Sequence, residues 1–106
     1  MYDIAVRILR FVDGSFPGWV ESELVDANGR RHIFIEKVPV VTLEDSRADS
    51  ECPVPGIIRC EILRKYSDEN GRELVCVSTA KPWSIESTEG LSEFTIPVGL
   101  VTPVPD

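Results

Sequence analysis

Arg31-His32-Ile33-Phe34-Ile35-Glu36-Lys37-Val38-Pro39-Val40-Val41-Thr42 is the longest run of β-branched and aromatic residues in the chain. Such residues favour a pleated strand, and the run predicts the central strand of a small all-β domain. It holds the only histidine, His32, and a charge pair, Glu36-Lys37, between apolar neighbours. Pro39 lacks a backbone donor and implies a bend, a bulge or an edge after Lys37.

On its N-terminal side stands Asp26-Ala27-Asn28-Gly29, whose aspartate and glycine suit a type I turn closed by a left-handed residue. The turn makes an antiparallel partner of Trp19 to Val25. A three-residue loop would set Asp26 opposite Arg30; a four-residue loop would set Val25 there. A slip of one residue exchanges the two faces, so the turn alone leaves open whether Phe34 or the pair Ile33 and Ile35 is buried. Further out, Tyr2 to Val12 reads as a first strand with Ile4, Val6 and Ile8 on one face. Asp68-Glu69-Asn70-Gly71-Arg72 repeats the turn chemistry between strands at Ile57 to Tyr66 and Glu73 to Thr79. Trp83 to Glu86 is a short strand candidate, and Glu93 to Val98 a last strand with Phe94, Ile96 and Val98 aligned.

Between these lies Leu43 to Gly56, an acidic connection. Thr42 stands before Glu44 and Asp45 like an N-cap, so at most one short helical turn is expected near residues 43–50. The sum is an antiparallel β-barrel of six or seven strands, residues 1–98, with an extended or flexible tail at 99–106. At 106 residues one domain is expected, able to fold without disulfides or a metal.

Eighteen acidic and eleven basic side chains leave a net charge of −7. That opposes sequence-independent contact with phosphate backbones or anionic membranes, so a protein partner is favoured over nucleic acid. Three cysteines, Cys52, Cys60 and Cys76, fit a reducing compartment better than a disulfide framework. Met1-Tyr2-Asp3-Ile4 predicts no signal peptide, and no apolar run approaches the roughly 18 residues of a membrane span. The expected location is the cytoplasm. With one histidine and no C-x-x-C spacing, no metal or cofactor is expected.

Four residues are candidates for binding. Trp19 and Trp83 each begin a predicted strand, and their rings either plug the barrel ends or form a contact surface. His32 is either a half-exposed strand residue or a base oriented by Glu21, Glu23 or Glu36. Glu36 either reaches water at a strand end or points inward, where Arg7, Arg59 or Arg64 would have to partner it. No catalytic set emerges, because no serine or cysteine is tied to His32 by spacing. Cys60 and Cys76, on adjacent strands, read as packing residues.

The two D-x-N-G-R hairpins, the Pro17-Gly18-Trp19 approach to the second strand and the late Phe94-Thr95-Ile96 strand resemble the accessory barrels of elongation factor Tu. The resemblance is one of architecture over residues 2–98. It implies a barrel and nothing about GTP, which that protein binds in another domain. Size, acidity and the lack of a catalytic signature also resemble stand-alone proteins of bacterial genomes and mobile gene cassettes. The expectation is therefore a non-enzymatic, acidic, bacterial module that binds another protein. The alternative is a small-molecule binder or minor enzyme using His32 and Glu36 at the barrel mouth. A homodimer through a strand edge or the tail is compatible with both.

Overall fold

The computed structural model of the protein describes residues 1–13, 18–37, 40 and 54–104. Among these residues seven strands run in chain order: β1 (Tyr2–Asp13), β2 (Trp19–Val25), β3 (Arg31–Lys37), β4 (Val54–Ser67), β5 (Glu73–Ser78), β6 (Glu93–Pro97) and β7 (Val101–Pro103). A 3-10 turn, Val98–Leu100, joins the last two. The strands form an antiparallel sheet in the order β3-β2-β1-β4-β5-β6, curled into a half-barrel, with β7 on β1.

Period-two alternation fills the inside. Ile4, Val6 and Ile8 of β1, Val20 and Leu24 of β2, Phe34 of β3, Ile58 and Cys60 of β4, Val75 and Val77 of β5, and Phe94 and Ile96 of β6 form one buried cluster. Each large aliphatic side chain so buried stabilises the fold by about 1.5–3 kcal/mol. β1 and β4 are long enough to bend around this core. Their register shifts at Ile8/Arg10, Phe11/Asp13 and Ile62/Arg64 mark the bends. β4 spends Val54 to Cys60 on β1 and Glu61 to Ser67 on β5.

The run around Phe34 is not the central strand. β3 stands at one end of the sheet order, and β1, paired with β2, β4 and β7, holds the centre. β-branched density reports burial, not position in a sheet. The register is that of the three-residue loop: the Asp26 amide bonds the Arg30 carbonyl, and Val25 pairs with Arg31. His32 and Phe34 therefore point inward, and Ile33 and Ile35 lie half-buried on the outer face.

Three further boundaries differ from the sequence reading. β4 begins at Val54 and takes in Pro55, which pairs with Arg7. At that point β4 has a ladder partner on one side only among the described residues, so the missing donor is tolerated. Trp83 to Glu86 is no strand: a cis Lys81–Pro82 bond and a positive φ of 53° at Ser84 turn the chain there. Val98 leaves the line of Phe94 and Ile96 to enter the 3-10 turn and is exposed. Beyond it, Val101 to Ile4, Thr102 to Asp3 and Pro103 to Tyr2 pair β7 with the start of β1. The helical turn expected near 43–50 lies outside the described residues, as does Cys52.

The two end strands meet across a seam. Phe34 and Phe94 pack edge to face with centroids 5.6 Å apart. The Ala27 amide donates to the Thr95 carbonyl at 2.9 Å, and the Thr88 amide to the Ile33 carbonyl at 2.8 Å. Thr88 belongs to a strap, residues 79–92, that lays Ile85 into the core. Thr79 fixes the strap by donating from Oγ1 to the Ile85 carbonyl at 2.6 Å.

Candidate functional site

The Asp26 turn is built by its own side chain. Oδ1 accepts the amides of Asn28 at 2.9 Å and Arg30 at 3.0 Å, an Asx-turn that leaves Gly29 at φ 81°. Oδ2 is left to reach inward, where it lies 2.8 Å from His32 Nε2. Burial pushes the Asp26 carboxyl up, but the hydrogen bonds from His32, Arg30 and Asn28 outweigh it and hold it below its ordinary 3.8. The partner of His32 is thus Asp26, not Glu21, Glu23 or Glu36. The spacing missed it because the turn lies at the end of the strand, beyond the alternation.

His32 is 3 % exposed and stacks edge to face on Phe94 at 4.8 Å. Glu36 shares its inward parity, four residues or about 13 Å along β3, with fully buried Phe34 between them. The structure does not bring the two together. Burial pushes the Glu36 carboxyl up, with Lys37 opposing. Among the described residues Glu36 has no ion-pair partner. Arg7 pairs with Glu23 instead, and Arg59 with Asp3.

Glu21 and Glu23 belong to the outer face. Cross-strand rows run Arg7–Glu23–Ile33 and Arg10–Glu21–Ile35. Arg10 bonds Glu21 at 3.0 Å, and Arg31 clamps the buried carboxylate of Glu23 from its diagonal position. These groups tie the β1–β2–β3 surface together.

The tryptophans are also on the outside, far apart. Trp19 opposes Asp13 at the far end of β1, is half-buried, and has the Lys37 ammonium 5.6 Å from its ring centre. Trp83, 46 % exposed, lies against the Arg59 guanidinium at 5.3 Å. Arg59 in turn donates to Asp3 at 3.0 Å, near the start of β1. Asp3 and Asp13 are ten residues apart, about 30 Å of strand. The two rings cannot share one surface. Trp19 opens β2 as expected, whereas Trp83 rides a turn, and its support, Arg59, comes from a strand 24 positions earlier. Only the outward parity of Arg59 signalled it.

The two described cysteines face opposite ways. Cys60 is in the core, where burial pushes its thiol up to about 11. Cys76 sits in an outer row, Arg64–Cys76–Thr95, half-buried, with Sγ 3.3 Å from Thr95 Oγ1. The Thr95 hydrogen bond first, then Arg64, hold its thiol below the usual value. No three His, Cys, Asp or Glu side chains gather in a metal-binding group among the described residues. No helix among them is long and apolar enough to cross a membrane. Comparisons with protein families, with curated proteins and with solved structures find no match for the chain.

Proposed function

We propose that this protein is a binding module that docks another protein through the outer face carrying Trp83, Arg59 and Asp3. One observation carries the reading: a tryptophan nearly half exposed is held in place by a guanidinium that is itself fixed by a carboxylate. Tryptophan and arginine are the residue types that dominate binding energy at protein interfaces. A ring already ordered before contact loses less conformational freedom on binding. Ala5 and half-buried Ile57, the next cross-strand row, extend the face with apolar surface. The net charge of −7 favours a basic partner by steering its approach. An odd cysteine count, with Cys60 and Cys76 both free thiols, supports a reducing compartment such as the bacterial cytoplasm.

The test is affinity capture from lysate with the wild-type protein, Trp83→Ala and Trp19→Ala side by side. A defined protein retained by the wild type and by Trp19→Ala, and released by Trp83→Ala, is the expected result. Retention indifferent to Trp83→Ala, or no retained protein at any salt concentration, would sink the reading. Circular dichroism on each variant checks that the fold is intact.

A further inference from the structure

Two polar atoms inside the half-barrel have no partner among the described residues: Ser22 Oγ and His32 Nδ1. Ser22 is fully buried and His32 nearly so. Both point inward from the same hairpin, Ser22 opposite Phe34 and His32 opposite Leu24. They are diagonal neighbours on one face, so their Cβ atoms stand no more than about 7–8 Å apart. No direct bond joins the two polar atoms. A single bridging molecule is within reach of both, since two hydrogen bonds of about 2.8 Å meeting at a roughly tetrahedral angle span about 4.5 Å between polar atoms that each project beyond their Cβ.

We propose that one water molecule occupies this place and joins Ser22 Oγ to His32 Nδ1. The chemistry of the two ends matches it. An ionised Asp26 only accepts, so Nε2 carries the hydrogen it receives. In the neutral ring Nδ1 is then a bare lone pair facing the core, and it needs a donor. The Ser22 hydroxyl both donates and accepts. Water gives one hydrogen to Nδ1 and closes the second bond with Ser22 in either direction. Ser22 is also the short side chain in the inward row Val20–Ser22–Leu24. A dry arrangement would leave two buried polar groups unpaired, each lowering the folding constant by about five-fold or more. Buried polar groups without protein partners are the places where internal water is found. This water lies on the inside of the sheet and is independent of the docking face proposed above.

Two measurements decide the proposal. NMR in water with labelled protein should give a cross-peak from a long-lived water to the Ser22 β-protons and to the His32 ring. The histidine nitrogens should report hydrogen on Nε2 and none on Nδ1. In parallel, Ser22→Ala should lower the folding constant by about five-fold, because the water and Nδ1 lose a partner. A dry hydroxyl predicts the opposite, since removing an unpaired group leaves stability unchanged or raises it. A missing cross-peak, a ring protonated on Nδ1, or a Ser22→Ala variant as stable as the wild type overturns the proposal.

Discussion

At the tip of the β2–β3 hairpin, Asp26 Oδ1 accepts the amides of Asn28 and Arg30, and the Gly29 amide bonds the Asp26 carbonyl at 3.0 Å. At the tip of β4–β5, Asp68 Oδ1 accepts the amides of Asn70 and Arg72, and the Gly71 amide bonds the Asp68 carbonyl at 3.0 Å. Gly29 and Gly71 have φ of 81° and 79°. The difference begins at the second carboxylate oxygen. Asp26 Oδ2 turns inward to a buried histidine, whereas Asp68 Oδ2 stays outside and takes Nε of its own Arg72 at 2.8 Å. One motif thus makes two turns alike and then anchors only one of them in the core. Five residues of sequence set the turn; the strand that follows decides what the spare oxygen does.

The largest consequence is an asymmetry between the two aspartates. Asp26→Ala removes three acceptor contacts and leaves the His32 Nε2–H buried without a partner, a loss of about 2–3 kcal/mol. Asp68→Ala removes as many contacts, but water replaces them, and the loss is smaller. Urea unfolding of both variants measures the difference. Equal losses would mean that the His32 contact adds nothing beyond the turn. The glycines should show the reverse. An added Cβ meets no atom within 4 Å at Gly29 or at Gly71, so only the left-handed backbone resists it. Gly29→Ala and Gly71→Ala should each lose about 1 kcal/mol, and the same amount. A large inequality there would show that the tips differ in backbone as well as in side chain.

Acid sharpens the same comparison. Asp26 and Asp68 both have folded-state pKa values below the ordinary 3.8, Asp26 against its own burial and Asp68 chiefly through the Arg72 amide and guanidinium. A depressed carboxyl contributes stability that is fully present above its unfolded pKa and is lost as pH falls through the folded one. Stability should therefore hold above about pH 4 and decline below it. Asp26→Asn and Asp68→Asn should each flatten that decline in unfolding curves taken between neutral pH and pH 2. A slope unchanged in both would assign the acid sensitivity to other carboxylates.

How much of this was legible beforehand follows from the range of each signal. The turns, the hairpins and the inward parity of Ile4, Val6, Ile8, Ile58, Phe94 and Ile96 are local, and the chain states them directly. The place of β3 at the sheet's end is not local. It follows from β1 recruiting β4 and β7, which no residue of the Phe34 run records. The partner of His32 was missed for a related reason. Strand periodicity draws attention to Glu21, Glu23 and Glu36, but the turn bends Asp26 back over the strand end. Trp83 stood out as a candidate, but the turn that carries it was not legible, because Pro82 and Ser84 turn the backbone where alternation suggested extension. The stack on Arg59 depends on the bend in β4 and so on the whole sheet.

The smallest effect concerns the arginines that close each motif. Arg30 reaches Glu89 at 2.7 Å, with both side chains more than half exposed, and such a pair adds at most about 1 kcal/mol. Arg72 has the same place in its turn but spans the two hairpins, donating from a terminal nitrogen to the Ala27 carbonyl at 3.0 Å. Ala27 is also the residue whose amide bonds Thr95 on β6. The second tip therefore holds the first against the seam. Arg72→Ala should speed hydrogen exchange at the Ala27 amide by about three-fold, through local opening at that end of the seam. Arg30→Ala should leave that amide unchanged, because its contact goes to the strap. If Arg30→Ala opens Ala27 as much as Arg72→Ala does, the seam is held by the strap, and the link between the tips is only proximity.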